Sequence, residues 1–459
     1  MKLVKPGDEI LTKVKKVHFV GIGGSGMCPL AEILHQKGYL LTGSDNNESD
    51  PLKRIRALGI PVTMGQQAKN VHGAELVVYS AAISQENPEL VEARRLNIPT
   101  LERCDLLGII TRKFSQMIGV CGTHGKTTTS SMITQVLYLN NLDPTAVIGG
   151  KLPLINANGR AGSSELMVCE SCEFVDTFLH LSPDTAVLLN IDNDHLDYFK
   201  TIENLTLSFH KFVSMATRVY FNGDDPLCHK AVTGVNGTVT TFGLNQSNHY
   251  YAKGLEKGER GPRFTVFKAG QPLGQLELEI PGRHNVYNAL AAVAVCTDLG
   301  LQFNEIKKPL ECFTGAGRRF ERYGEFNGIT LVDDYAHHPT ELEATLTAAK
   351  NLKHQRVVAV FQPFTFSRTA LLKNDFIKAL KIADEVILTP IMGSREVNTY
   401  GISSNDLAAE LPHCTVVEDF DGVVAAIEKI ARPGDLVITM GGGDIYKAAQ
   451  KYAAKHKVQ

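Results

Sequence analysis

The sequence predicts an α/β protein of three domains. An N-terminal Rossmann-like domain is followed by a central phosphate-loop domain with a mostly parallel sheet, and then by a C-terminal Rossmann-like domain. Three observations predict this. Two glycine-rich turns, Gly21–Met27 and Gly122–Thr129, each sit between a buried apolar run and a helical pattern. After the Gly315–Glu321 stretch, the alternation of strands and helices starts again and continues to the end of the chain. The expected domains are 1–114, 115–321 and 322–459.

A length of 459 residues suits several domains, and 43% hydrophobic against 21% charged residues is enough to build ordinary cores. The formal net charge of -2 gives no global attraction to nucleic acid or membrane surfaces. The start of the chain is polar and lysine-rich without a signal peptide's apolar segment, and no apolar run approaches the roughly 20 residues of a membrane span. The nine scattered cysteines read as reduced thiols, and Cys169-x-x-Cys172 lacks the second pair of a metal site. A cytoplasmic protein is expected, monomer or homodimer, with no nucleic-acid partner and no membrane insertion.

In chain order, Val17–Val20 reads as a strand running into Gly21-x-Gly23-x-x-Gly26, with a helix from Pro29 to Gln36. Asp45 lies about 20 residues on, after a second strand, as in a dinucleotide fingerprint. Leu76–Ser80 is a buried strand and Ile98–Leu101 a weaker one. Met117–Cys121 leads into the second turn, and Met132, Ile133, Val136 and Leu137 continue it as a helix. Leu166–Cys169, Thr185–Ile191 and Val219–Phe221 are further strands with polar ends. Phe264–Phe267 and Leu276–Ile280 alternate as antiparallel strands do, and a helix spans Val286–Asp298. The last repeat is expected to comprise strands Ile329–Val332, Val357–Phe361, Val386–Thr389, Thr415–Val417 and Leu436–Met440. Its helices follow Pro339, span Arg368–Ile382 and Val423–Ile430, and close the chain.

Chemistry collects at strand ends. Gly122-x-x-Gly125-Lys126-Thr127-Thr128 is a variant phosphate loop, since Val120 stands where the usual first glycine would be. Its backbone, with Gly122, Thr123 and Gly125, can cradle phosphates, and Lys126 can neutralise them. Thr127 with Glu173 and His195 forms an oxygen-rich candidate site for Mg²⁺, although an imidazole is an unusual Mg²⁺ ligand. A second group is Asp333–Glu341, with two acids and two histidines, where Thr340 or His338 could instead cap the following helix. A third is Gln362–Arg368, where Arg368 at a helix start opposes the dipole and points to an anionic partner. An NAD(P)-dependent oxidoreductase would account for Gly21–Gly26 but not for Lys126–Thr127. A phosphate-loop kinase would account for the latter alone.

These stretches resemble the Mur ligases, the ATP-dependent amide ligases of peptidoglycan precursor synthesis. The likeness rests on His18–Met27, Gly122–Thr129 and Asp333–Glu341, with His284-Asn285, Asn288 and Arg318–Phe320, and it covers nearly the whole chain. The histidine in the loop, with Asp-Asp-Tyr-x-His-His-Pro, is similar to the branch that joins L-alanine to UDP-N-acetylmuramate, or to the relative that reattaches recycled tripeptide.

The resemblance implies a P-loop ATPase-type central domain and a reaction through an acyl phosphate, with ATP and Mg²⁺ as cofactors. It implies that Gly23, Ser25, Gly26 and Met27 lie near the UDP diphosphate, and Ser44 and Asp45 near the uridine end. Asn285 and Asn288 are expected near adenine, and Arg319 and Asp334 near the phosphates and ribose. Tyr335, His337 and Arg368 are expected near the amino acid, and His124 near the muramoyl part. Lys126, His195 and His337 are the expected catalytic residues. The run Glu170-Ser-Cys-Glu173-Phe departs from the family's Asp-Glu-Ser arrangement, and Phe364 stands where many alanine-adding members have His.

Overall fold

A computed structural model describes residues 7–258, 261–394 and 396–457, with the side chain of Asp197 also outside the description. The lysine-rich residues before Gly7 therefore lie outside the described residues, as does the Asp197 side chain among the acids after Ile191. Three sheets form. The first comprises β1 (Lys16–Val20), β2 (Leu40–Asp45), β3 (Val62–Met64), β4 (Leu76–Tyr79) and β5 (Thr100–Glu102), in the order β3-β2-β1-β4-β5. All its pairings are parallel, with Val20 beside Ser44 and Tyr79. The order reverses about β1, so the loop after Val20 opens at the switch point where α/β sheets bind ligands.

The second sheet has ten strands. These are β6 (Gln116–Cys121), β7 (Thr145–Leu152), β8 (Ala157–Arg160), β9 (Leu166–Glu170), β10 (Thr185–Leu188), β11 (Arg218–Asn222), β12 (Thr238–Gly243), β13 (Tyr250–Lys257), β14 (Pro262–Lys268) and β15 (Gln271–Glu277). Their order is β15-β14-β13-β12-β11-β10-β6-β9-β7-β8, and β6 runs parallel to both β9 and β10. β6 is almost wholly buried, and the helix Lys126–Leu139 that follows it is buried through most of its length. Its buried face mixes Met132, Ile133, Val136 and Leu137 with small hydroxyl residues such as Thr129, Ser130, Ser131 and Thr134, which let the helix pack closely onto the sheet.

The third sheet comprises β16 (Glu321–Phe326), β17 (Ile329–Asp334), β18 (Val357–Phe361), β19 (Glu385–Leu388), β20 (Cys414–Val416) and β21 (Leu436–Met440), in the order β16-β17-β21-β18-β19-β20. Only β16 is antiparallel to its neighbour. Core clusters on both faces cover it.

Packing divides the chain into two compact units. One comprises Met1–Lys253, Thr265–Gly274 and Tyr287–Leu310, and the other Gly254–Phe264, Gln275–Val286 and Glu311–Gln459. One apolar cluster runs from Leu11 to Ala231 in the first unit and contains Ile110 and Phe114 as well as Met117 and Phe212. The first two sheets thus share a core across residue 114. Asn158 Nδ2 also donates to Ser25 O, and Arg54 Nη2 donates to Asn158 Oδ1 at 2.9 Å, tying the first glycine turn to β8.

The structure corrects several boundaries. The second of the expected hairpin strands lies at 271–277, not 276–280, because the Lys268–Gln271 turn through Ala269 and Gly270 reverses the chain earlier. The helix expected over 368–382 is two helices, Phe366–Leu371 and Lys373–Leu380, broken at Leu372, whose ψ of 22° is non-helical. β10 ends at Leu188, because Leu189–Asp192 turn away to serve the phosphate loop. Strands β3, β7, β8, β12, β13 and β16 were not anticipated. β3, β8 and β16 are edge strands and β12 and β13 are mostly polar or exposed, while the apolar run of β7, Ala146–Ile148, is only three residues before Gly149 and Gly150.

Candidate active site

β6 delivers the chain to Gly122 and Gly125, whose φ values of +132° and +86° suit glycine and strain other residues. Space is also lacking, since a Cβ on Gly125 would stand 2.6 Å from Asn288 Oδ1, and one on Gly122 would stand 3.1 Å from Asn190 N. Asn190 clamps the loop from both sides: its Oδ1 accepts from His124 N at 2.8 Å and its Nδ2 donates to His124 O at 3.0 Å. Thr123 Oγ1 accepts from Asp192 N at 2.9 Å, and the His124 ring meets Asp192 Oδ2 through Nε2 at 3.0 Å. The sequence marks Asn190 only as a polar strand end, and its bracing role needs the fold to be seen.

Lys126 turns back over this loop. Its ammonium donates to Gly122 O at 2.6 Å, Thr123 O at 2.9 Å and Glu173 Oε1 at 3.0 Å. Burial works against the charge, but Glu173 outweighs it, and the lysine is held protonated with its pKa above the ordinary value. Glu173 is 1% exposed, and its Oε2 lies 2.9 Å from Lys126 Nζ without accepting a hydrogen bond. His195 Nε2 is 4.0 Å from Glu173 Oε1 and 3.6 Å from Asp194 Oδ2. Val175, Asp176 and His195 all have left-handed backbones, at φ of 53°, 57° and 55°. Strain of this kind in a β-branched residue gathers at functional sites.

A buried carboxylate with one oxygen accepting no hydrogen bond, a buried Thr127 hydroxyl and a nearby imidazole make a donor set that fits a hard dication. Thr128 is buried beside Thr127, and Thr129 Oγ1 donates to Asn288 Oδ1 at 3.1 Å. Asn288 therefore braces the phosphate helix. Glu170 is occupied elsewhere, accepting from Gly149 N at 2.6 Å.

In the first sheet's loop, Asp45 Oδ2 accepts from Gly23 N at 2.9 Å, so Asp45 shapes the turn. Ser44 is buried, and its hydroxyl donates to Glu89 Oε2 at 2.7 Å, turned inward from the loop. Met27 is buried too, and its N–H donates to Gly24 O at 2.9 Å, so it shapes the turn and the helix start. None of the nine cysteines is in a disulfide, and Cys169 and Cys172 are separate thiols.

The second unit carries the Asp333–Glu341 group after β17. Arg318 Nε donates to Asp333 Oδ2 at 2.9 Å, while its Nη1 and Nη2 donate to Gly443 O and Gly441 O at 2.8 and 2.7 Å. Arg319 lies over the Tyr335 ring at 5.0 Å. Asp334 accepts from Phe320 N at 2.7 Å and Ala336 N at 2.8 Å, and burial lifts its pKa against the pull of Arg319. His337 Nδ1 lies 3.0 Å from Tyr335 O and 3.2 Å from Glu341 Oε2. His338 caps the helix Pro339–Lys350 in a capping box with Glu341, the role the sequence left open. Phe364 packs edge-on to His337 with ring centroids 6.0 Å apart, and Arg368 sits in the helix Phe366–Leu371 nearby in sequence. Asn285 is buried and donates to Pro281 O at 2.6 Å.

Comparison with known proteins gives the family of the chain. Three family profiles match: "Mur ligase family, catalytic domain" over residues 16–115, "Mur ligase middle domain" over 120–296, and "Mur ligase, glutamate ligase domain" over 318–443. The UDP-N-acetylmuramate–L-alanine ligase of Caldanaerobacter subterraneus is 42% identical over 455 residues, 97% of this chain and 99% of that protein. The ligase of the same name from Acetivibrio thermocellus is 44% identical over 449 residues, 96% of each chain. The crystal structure of the Thermotoga maritima UDP-N-acetylmuramate–alanine ligase superposes with a TM-score of 0.83 at 28% identity, covering 96% of this chain and 99% of that one.

Burial lifts the Asp333 carboxyl to about 6, opposed by Arg318 and Thr439. A folded-state pKa above the unfolded one means that the native state holds the proton more tightly. The resulting stabilisation is present below about pH 4 and is lost as pH rises through about 6. The Asp333→Asn variant should therefore gain stability relative to the parent between pH 4 and pH 6.5 in denaturant titrations, and level off above that. A difference that stays constant over this range would contradict the assignment.

Proposed function

The chain belongs to the Mur ligase family, and from that premise we propose that it is the ligase joining L-alanine to UDP-N-acetylmuramate in peptidoglycan precursor synthesis. The observation that carries this reading is the Lys126–Glu173 pair at the phosphate loop, in a chain more than two-fifths identical, end to end, to ligases of that name. The protein uses ATP, as the family does.

An amine does not displace the oxide of a carboxylate at neutral pH, so the acid must first be activated. In the proposed route, a lactyl carboxylate oxygen attacks the γ-phosphorus. The bond to the β,γ-bridging oxygen breaks, and ADP leaves an acyl phosphate. The amine of L-alanine then attacks the acyl carbon and gives up a proton, and the carbon–oxygen bond breaks to release phosphate.

The protein's task in the first step is positioning and charge neutralisation. Lys126, held protonated, lies where the γ-phosphate would sit, and Gly122, Thr123 and Gly125 supply the loop backbone. Thr127, Glu173 and His195 are the residues that would hold Mg²⁺. When bound, Mg²⁺ would neutralise phosphate oxygens. Gly23, Ser25 and Gly26, in a domain over 1–114, would receive the UDP diphosphate, and His124, fixed by Asp192, would face the muramoyl part. Asn285 and Asn288 are proposed to serve adenine, and Arg319 and Asp334 the phosphates and ribose.

For the second step, the Arg368 fork suits the amino-acid carboxylate. With two acceptors beside Nδ1, Tyr335 O and Glu341 Oε2, the His337 proton would sit on Nδ1. Nε2 is then the nitrogen able to accept the amine's proton near neutral pH. Phe364 gives an apolar wall that suits a methyl side chain. Among the described residues no helix is long and apolar enough to cross a membrane. The cytoplasm is the proposed location, where the nucleotide substrates are.

Phosphate release with UDP-N-acetylmuramate, ATP and Mg²⁺ should be fastest with L-alanine, and about tenfold slower with glycine, which lacks one methyl. Release supported by the recycled tripeptide but not by free alanine would overturn the acceptor assignment. The Glu173→Gln variant should need about tenfold or more Mg²⁺ for half-maximal activity. An unchanged Mg²⁺ titration would remove Glu173 from the metal site.

A further inference from the structure

Gly26 is the point where the first glycine turn meets another helix of the same unit. A Cβ built on it would stand 3.0 Å from Arg103 Cδ and 3.3 Å from both Nε and Nη1. The Arg103 guanidinium therefore fills the space that a side chain at Gly26 would take. Arg103 is half-buried and opens the helix Arg103–Arg112, where a cation opposes the dipole.

Several other arginines of this unit are committed to carboxylates, among them Arg54 to Glu32, Arg112 to Asp8 and Arg160 to Asp143. Arg103 has no hydrogen bond or ion pair among the described residues. It lies close enough to the end of β9 to act on Cys169, whose thiol burial drives up to about 12, with Glu170 adding and Arg103 opposing. A half-buried cation without an anionic partner, at an unfavourable helix position and against a loop of bare glycines, is poorly explained by stability. The first glycine turn is held at this spot by Asp45 on Gly23 N and by Asn158 on Ser25 O.

We propose that Arg103 is a further substrate-binding residue, whose guanidinium holds phosphate oxygens of the UDP-N-acetylmuramate diphosphate lying on the Gly23–Met27 loop. The proposal rests on the reading of that loop as the UDP site. It gives Gly26 a second reason to be glycine, since a side chain there would displace both the diphosphate and its cation. It also supplies charge that backbone N–H groups alone do not, in the two-pronged geometry that suits phosphate.

Calorimetric titration of the full-length protein with UDP and with UDP-N-acetylmuramate tests this in the parent, Arg103→Met and Arg103→Lys. The parent should bind both ligands. Arg103→Met should weaken both by about 10- to 100-fold, as expected for loss of charge-assisted hydrogen bonds, and Arg103→Lys should recover part of the loss. The KM for UDP-N-acetylmuramate should rise by the same factor, with kcat and the KM for ATP nearly unchanged. Equal UDP affinity in the parent and in an Arg103→Met variant of unchanged melting temperature would overturn the proposal. Weakened UDP-N-acetylmuramate with unchanged UDP would place the guanidinium on the sugar side and overturn the diphosphate assignment. A parent that binds UDP-N-acetylmuramate but not UDP, and loses nothing on Gly26→Val, would instead defeat the UDP reading of the loop.

Discussion

The ion pair between Lys126 and Glu173 is the constraint on which the phosphate site depends. Glu173 is buried and Lys126 half-buried, and an isolated ammonium there would lose its charge to desolvation. Glu173 beside it keeps the lysine protonated. Around them, the two glycines with positive φ turn the chain, Asn190 clamps it, and left-handed residues at 175, 176 and 195 bring Glu173 and His195 to the same place. A lysine kept protonated beside a buried carboxylate, at the mouth of a loop of N–H groups, forms a site for a phosphorylated ligand and a cation together.

The second unit repeats this logic with another ion pair. Arg318 spends all three of its donor nitrogens on Asp333 and on two carbonyls of the turn after β21, and rests against Tyr335 and Tyr446. It is thereby a structural clip, and its neighbour Arg319 is left to face Asp334 and Tyr335. The division of labour between adjacent arginines follows from the left-handed backbone at Arg318 and Phe320, which turns successive side chains in different directions.

Much of this was legible in the sequence where one residue type has one physical use. The central strands of each sheet are apolar runs, and β18 and β21 lie where the runs begin and end. Gly122, Gly125 and Lys126 could be read because close backbone approach and phosphate charge admit few substitutes. Edge strands such as β3, β8 and β16 carry no such pattern, and the break at Leu372 has neither glycine nor proline to announce it. Asn190 and Arg103 were missed for another reason. Their roles come from residues far away in the chain, and no local spacing encodes that. Ser44 shows the converse, since a motif position can turn inward to serve a buried carboxylate.

The account's central claim is that Lys126 serves phosphoryl transfer to the substrate carboxylate before any amino acid takes part. Positional isotope exchange in ATP labelled at the β,γ-bridging oxygen measures that step directly. The account predicts scrambling of the label that requires UDP-N-acetylmuramate, proceeds without L-alanine, and vanishes in a Lys126→Met variant that still binds the sugar nucleotide. Scrambling that appears only when L-alanine is present, or that persists in Lys126→Met, would contradict it.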